Sequence, residues 1–269
     1  MQSPAARTRK LFNCARTVRF YQQSTELQLP EAVILDRLRA DFTRKRVLDI
    51  GVGAGRTTGH LLELSQHYIG LDYSSRMIES CRARYPGVSF MLCDARDLSL
   101  LFGKGSFDLV LFSYNGIDVL DHADRLKALS GIRDILSPTG AFVFSSHNLD
   151  YRRAHFTKPW DPRLLPFDIN PFVRPLPFVK KLATYPIGIA NYLRVRKHER
   201  TETHYSILGD EAHKYNILTY YIAPRCQVAQ LTELGFRDTW VIGLDGRSIG
   251  EAEYAGAIRD HWLYYVGYV

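Results

Sequence analysis

No apolar run in the 269-residue chain approaches the roughly 18 residues that a membrane-spanning helix requires. The most apolar stretch, Phe107–Phe112, has only the length of a buried strand. Cysteine is scarce. Cys14, Cys81, Cys93 and Cys226 form no CxxC pair and show no metal-ligand spacing, so a disulfide framework and a zinc site are both disfavoured. Reduced thiols in a cytoplasm suit that pattern. No secretory stretch of apolar residues opens the sequence, and no repeat or low-complexity tract interrupts it. The first twenty residues lack any acid and carry Arg7, Arg9, Lys10, Arg16 and Arg19. With almost no serine, this start reads as a tail or docking helix rather than a transit peptide.

What is present describes a globular protein with a large core. Forty-six per cent of the residues are hydrophobic, including 14 Phe and 16 Tyr, which excludes disorder of the whole chain. The net charge of +7 is unevenly spread: +5 falls in residues 1–20 and +6 in residues 171–200, leaving the remainder at −4. A pI of 9.2 invites a nucleic-acid partner, but basicity confined to two segments counts against one.

Short apolar runs alternate with helical patterns from residue 45 to residue 148, the signature of a parallel sheet. Strands are expected at 46–50, 68–71, 88–92, 107–112 and 141–145. The helices between them include 57–66, one capped by Ser74, and 121–136 ended by a turn at 138–140. The rhythm breaks over residues 149–223, where most of the prolines and much of the basic charge lie. It resumes with a helix near 227–234, a stop at Gly235-Phe236, and strands at 238–244 and 261–269. The insertion is expected to hold helices in 172–198 and a strand pair near 204–207 and 217–222. An excursion of this length at the carboxyl edge of a parallel sheet reads as a lid over a ligand. The expected units are therefore a covering segment at 1–44, a binding core at 45–148, a lid at 149–223 and the remainder of the core at 224–269.

The sharpest motif is Asp49-Ile50-Gly51-Val52-Gly53-Ala54-Gly55-Arg56-Thr57. Three glycines at alternate positions, after a strand and before a helix, let the backbone pass close to a ligand and turn its amides towards it. Asp72 ends the second strand, where a carboxylate can meet both hydroxyls of a ribose. Its alternative role is to cap the following helix.

These residues resemble those of the class I S-adenosylmethionine-dependent methyltransferases. Asp49 with the glycine loop is similar to that family's first motif, Leu71-Asp72-Tyr73-Ser74 to its ribose-binding segment, and Cys93-Asp94-Ala95 to the segment that meets the adenine. Phe107-Asp108-Leu109-Val110 is similar to the fourth-strand motif and Leu136-Ser137-Pro138-Thr139-Gly140 to the turn before the fifth strand. The resemblance implies a doubly wound, mostly parallel seven-stranded α/β sheet, Rossmann-like, with the insertion after the fifth strand. It implies S-adenosylmethionine as cofactor, S-adenosylhomocysteine as its product and no metal. The cofactor-binding residues it implies are Asp49, Gly51, Gly53, Gly55, Arg56 and Thr57 in the loop, Asp72 and Tyr73 at the ribose, and Asp94 and Ala95 at the adenine. Ser113 after the fourth strand and Tyr21 folded over the donor complete the set. A nicotinamide dinucleotide is the rival ligand, but its G-x-G-x-x-G pattern would need glycine where Arg56 stands.

The acceptor is harder to read. The Asn/Asp-Pro-Pro-aromatic tetrad of nucleobase amino-methylation is missing, with Ser113-Tyr114-Asn115-Gly116 in its place. A small metabolite methylated at oxygen or nitrogen is the leading expectation, in small-molecule biosynthesis. An RNA methyltransferase using the basic tail and lid, or a non-catalytic S-adenosylmethionine-binding protein, are the alternatives. Candidates for the catalytic base are His147, directly after the fifth strand, then His204, His213 and Tyr221 in the insertion, with Tyr205 also expected at the acceptor. The basic 171–200 segment reads as a site for an anionic acceptor, a peripheral membrane face or a solvated lid. Its prolines 171, 175, 177 and 186 argue against one long amphipathic helix.

Overall fold

The computed structural model describes residues 3–155, 158, 160, 175–255 and 258–269. Three helices come first: α1 Pro4–Phe12, α2 Ala15–Gln22 and α3 Leu29–Phe42. There follow β1 Val47–Ile50, α4 Thr58–Leu64, β2 Tyr68–Asp72, α5 Ser75–Arg84, β3 Ser89–Leu92, α6 Leu98–Leu101, β4 Phe107–Phe112, α7 His122–Ile135 and β5 Leu136–Asn148. The insertion supplies α8 Leu149–His155, α9 Pro175–Val195, β6 Arg200–Thr201, β7 Tyr205–Gly209 and β8 Leu218–Ile222. The chain then forms α10 Pro224–Glu233, β9 Arg237–Ile242, β10 Ser248–Ile249 and β11 Trp262–Tyr268. Residues 156, 157, 159 and 161–174 of the expected lid, Phe172 and Val173 among them, lie outside the described residues.

One sheet organises the molecule, with strand order β10-β9-β11-β5-β4-β1-β2-β3. Strands β3, β2, β1, β4 and β5 run parallel, and β11 is antiparallel to both β5 and β9. The expected seven-stranded frame is therefore present inside a sheet of eleven. The additional strands are β10 and the β6–β7–β8 ladder, which joins β5 through His147↔Tyr221 and Asn148↔Ile222. Alternate residues of each strand feed opposite faces. Leu48, Val110, Phe142 and Phe144 pack with Leu129 and Ile132 of α7. Val47, Leu109, Leu111 and Val143 pack with Ile34 and Leu38 of α3 and Leu61 of α4. Two-sided burial explains why the central strands are continuously apolar.

Two elements differ from the sequence expectation. The fifth strand starts at Leu136, not Ala141, because the turn at 138–140 is carried as an irregularity within the pairing. Between two paired positions β4 advances from Phe107 to Leu109 while β5 advances from Leu136 to Ala141. The prolines do not prevent a long helix either. α9 runs 21 residues with Pro186 inside it. Pro175 and Pro177 fall in its first turn, where backbone N–H groups have no intrahelical partner to lose.

Candidate active site

The carboxyl ends of β1, β2, β4 and β5 meet under the N-terminal helices. Gly53 has φ +57°, a left-handed conformation that side chains disfavour, and its N–H donates to Asp72 Oδ2 at 3.0 Å. Asp72 Oδ1 accepts from Ser74 N–H at 2.8 Å. Burial pushes the Asp72 carboxyl up to about 6 against those two N–H bonds. The cap of α5 falls to Ser74, whose Oγ accepts from Met77 N–H, so Asp72 is not the capping residue.

The first two helices lie over this loop. Tyr21 stands beside Gly53, with its Cδ1 3.7 Å from where a Cβ would be. Gln22 bonds Ser80, and Asn13 accepts from the Ser74 hydroxyl at 2.9 Å. Tyr73 packs edge-on against Phe12, and burial pushes both the Tyr21 and Tyr73 phenols up, Tyr21 to about 12. Among the described residues, the buried Tyr73 hydroxyl and Asn115 Oδ1 find no hydrogen-bond partner. Tyr114 and Asn115 both have φ above +50°, strained backbone directly after β4.

Several expected donor ligands are occupied by protein groups. Asp49 is buried and accepts from Thr57 Oγ1 at 2.6 Å and Tyr68 Oη at 3.0 Å. Burial pushes its carboxyl up to about 7, so it orders the loop without being a fixed negative charge for the donor. Thr57 is spent on the same contact. Arg56, expected beside the donor, is bound in two places to Glu31 of α3, at 2.5 and 2.6 Å. Glu31 also accepts from Gln28 N–H, Tyr264 Oη and Ser113 Oγ, the fourth of the expected ligands turned inward. Burial acts to raise Glu31, but the bonds and charge of Arg56 outweigh it and leave the carboxyl below its ordinary range. Asp94 is gripped by Arg96, with Nε on Oδ1 and Nη2 on Oδ2 at 2.8 Å each, and Arg9 approaches at 3.4 Å. An adenine amine would share that carboxylate with Arg96. Ala95, next in the chain, starts a short 3-10 turn and is half-buried.

The Glu31–Arg56 pair ties the N-terminal segment to the loop, and it makes a stability prediction. Glu31→Ala leaves a buried guanidinium without its carboxylate and should cost about 3–5 kcal/mol of unfolding free energy. Urea titration checks this; a loss within a few tenths of wild type would mean that Arg56 finds solvent instead.

At the end of β5 stands a group the sequence only half revealed. His147 Nδ1 lies 2.7 Å from Asp118 Oδ2, and the same oxygen accepts from the His147 backbone N–H at 2.7 Å. Asp118 Oδ1 accepts from Arg125 Nη1 at 2.5 Å and Ser146 Oγ at 2.8 Å. Arg125 is fully buried, bonded also to Gln227 and set over the Tyr220 ring. The carboxylate thus fixes the imidazole through Nδ1 and leaves Nε2 as the outward nitrogen.

The insertion adds a second dyad, His213 Nδ1 on Asp210 Oδ2, with the His213 ring 6.0 Å from that of Phe12. Burial acts to raise Asp210, but His213, and His147 nearby, outweigh it and hold the carboxyl below its ordinary range. Tyr221 packs 5.2 Å from the His147 ring, under the Arg152 guanidinium. Burial pushes its phenol far up, which favours the protonated, donating form.

Two expected acceptor residues stand elsewhere. His204 is exposed in the turn between β6 and β7, 3.6 Å from Cys226 Sγ. Tyr205 stacks on His122 at 4.0 Å and on Tyr220, because alternation along β7 turns it to the face opposite Ser206 and Tyr221.

Residues 47–140 match the family model described as "Methyltransferase domain". The chain is 28% identical over 134 residues to the demethylmenaquinone methyltransferase of Beutenbergia cavernae, covering 49% of this chain and 50% of that one. It is 28% identical over 166 residues to the malonyl-[acyl-carrier protein] O-methyltransferase of Erwinia billingiae, covering 61% of each. It thus spans about half the length of the curated relatives it matches. In fold it superposes with TM-score 0.57 on the Burkholderia thailandensis 1,6-didemethyltoxoflavin-N1-methyltransferase solved with S-adenosylhomocysteine, at 12% identity, covering 100% of this chain and 91% of that one. Residues 47–140 thus carry a methyltransferase domain, and the chain resembles the class I S-adenosylmethionine-dependent methyltransferases.

The site suits that family's donor. It offers a buried carboxylate in Asp72, a loop whose Gly53 holds a left-handed φ that side chains disfavour, and two buried polar atoms without protein partners. Among the described residues, no cluster of three His, Cys, Asp or Glu is placed to hold a metal, and no helix is long and apolar enough to cross a membrane.

Proposed function

We propose that the protein transfers a methyl group to an oxygen or nitrogen of a small-molecule acceptor, with His147 as the general base. The observation that carries this reading is the His147–Asp118–Arg125 array at the end of β5. When bound, S-adenosylmethionine supplies a methyl carbon on a positively charged sulfur. Gly51, Gly53 and Gly55 give its amino-acid part room, Asp72 accepts from the ribose hydroxyls, Tyr21 closes over it from the N-terminal helices and Tyr73 borders it from the turn after β2. Holding nucleophile, carbon and sulfur in line is the main task of these residues.

His147 Nε2 would take the acceptor's proton as the methyl group is transferred, the donor, when bound, supplying the methyl carbon and leaving as a neutral thioether that keeps the bonding electrons. Asp118 stabilises the resulting imidazolium, and Arg125 holds Asp118 in place through its own bond to the carboxylate. The dyad is needed most where the acceptor is a hydroxyl, and the relative from Erwinia billingiae is named as an O-methyltransferase. The insertion closes the acceptor side with Tyr221, Arg152, His213 and Asp210, and water excluded there sharpens the alignment. The guanidinium of Arg152 beside Tyr221 suits an anionic acceptor, and the four unpaired thiols suit a cytoplasm.

The test is mass spectrometry of metabolite fractions incubated with the protein and methyl-labelled donor. A labelled product appearing with S-adenosylhomocysteine supports the reading, and donor binding without any turnover overturns it.

Asp72 makes two measurable predictions. Asp72→Ala loses two charge-assisted contacts and should weaken S-adenosylhomocysteine binding by about 1.5–3 kcal/mol. The wild type should also show a pH signature. Burial raises Asp72, so the apo protein holds its proton up to about pH 6, whereas ribose hydroxyls donating to it favour the ionised form. Ligand binding below that pH must therefore expel a proton, and affinity should fall by up to about tenfold per pH unit beneath it. Calorimetry in buffers of different ionisation enthalpy reads the proton directly; affinity flat from pH 5 to 8 would remove Asp72 from the ribose.

A further inference from the structure

The insertion helix α9 has two unlike faces. Gly188, Tyr192 and Val195 turn inward, where the Tyr192 ring meets that of Tyr215 and Asn191 Nδ2 donates to Lys214 O at 3.1 Å. Outward stand Val179, Leu182, Pro186, Ala190 and Leu193, spaced by three and four residues, with Ile187 beside them. The four large aliphatic side chains on this side are 47–61% exposed. Such spacing makes one continuous stripe along the helix. No acid occurs from residue 169 to residue 198, while Arg174, Lys180, Lys181, Arg194, Arg196 and Lys197 all fall there. Arg194, Arg196 and Lys197 are exposed at the helix end. Trp160, also exposed, leans edge-on against Tyr192 with the Lys158 ammonium over its ring.

We propose that α9 docks the protein on an anionic membrane surface. The aliphatic stripe enters the boundary between headgroups and acyl chains, Trp160 lies at headgroup level, and the cations meet lipid phosphates. Charge selects this occupant. A second copy of the chain would bring the same acid-free, basic helix against itself. A protein partner needs polar groups to fix a register, and the stripe offers only hydrocarbon. A lipid surface needs no register and supplies the negative charge. The inference is independent of the methyl-transfer reading, because it uses no residue of that site.

Co-sedimentation of the full chain with vesicles decides it. Binding to equimolar phosphatidylcholine–phosphatidylglycerol vesicles should exceed binding to phosphatidylcholine alone by at least about tenfold and weaken with salt. Leu182→Glu combined with Leu193→Glu should abolish it while leaving S-adenosylhomocysteine binding and melting temperature unchanged. Arg194→Glu with Arg196→Glu should remove the preference for the anionic vesicles. Absence of vesicle binding, or binding indifferent to the double glutamate variant, overturns the proposal. It is equally overturned if the stripe variants leave vesicles unaffected but abolish a concentration-dependent dimer or binding to a purified acidic carrier protein, since the face then belongs to a protein.

Discussion

His147→Ala should lower turnover by about 10²–10⁴-fold, the range for loss of a positioned general base, with donor affinity nearly unchanged. The separation follows from placement. His147 contacts Asp118, Tyr221 and Trp262, not the glycine loop or Asp72, so donor binding has no reason to respond. Asp118→Asn probes the same array from behind. An asparagine amide in place of Oδ2 presents a donor where Nδ1–H now donates, which favours the wrong tautomer and places a proton on Nε2. Turnover should fall by a comparable factor, and Arg125 would lose its buried counter-charge. Partial rescue of His147→Ala, but not of Asp118→Asn, by added imidazole would separate a missing base from a collapsed pocket. Turnover of His147→Ala within threefold of wild type would assign the histidine to packing and move attention to His213.

The frame of this site was legible because its signals are local. β4 begins and ends at the residues its apolar run marks, and the glycine loop sits between a strand and a helix as its spacing requires. Ser74 announces its helix by capping it. The partners that set the chemistry are not local. Glu31 meets Arg56 across 25 positions, and Asp118 meets His147 across 29, so neither pairing leaves a periodic trace. Asp118 carried one hint, an acid inside the apolar stretch Ile117-Asp118-Val119-Leu120, and Glu31 another, its place in the first turn of α3. The insertion misled through its prolines, since Pro175 and Pro177 fall in the first turn of α9, where they cost little, and the helix carries Pro186 inside it as well. The histidines of the insertion looked alike in sequence, yet a reversal between β6 and β7 leaves His204 at the surface, while the turn after β7 brings His213 to Asp210 and Phe12.

Gly53→Val should abolish donor binding, and three separate effects converge on that result. A β-branched residue at φ +57° is strained whatever surrounds it, so the loop is pushed towards another conformation. The loop's present shape is fixed in part by the Gly53 N–H bond to Asp72, and moving the amide frees the carboxylate intended for the ribose. A valine side chain would also point at the Tyr21 ring, 3.7 Å from the Cβ alone, filling the space between the loop and the covering helix. Gly53→Ala retains the first two effects in weaker form and nearly escapes the third, so it should bind S-adenosylhomocysteine with intermediate affinity. Calorimetry on both variants, with melting curves to show that each is folded, resolves the three contributions. If folded Gly53→Val binds as tightly as wild type, the donor does not pass over this loop, and the unpaired Tyr73 hydroxyl and Asn115 amide become the place to look for it.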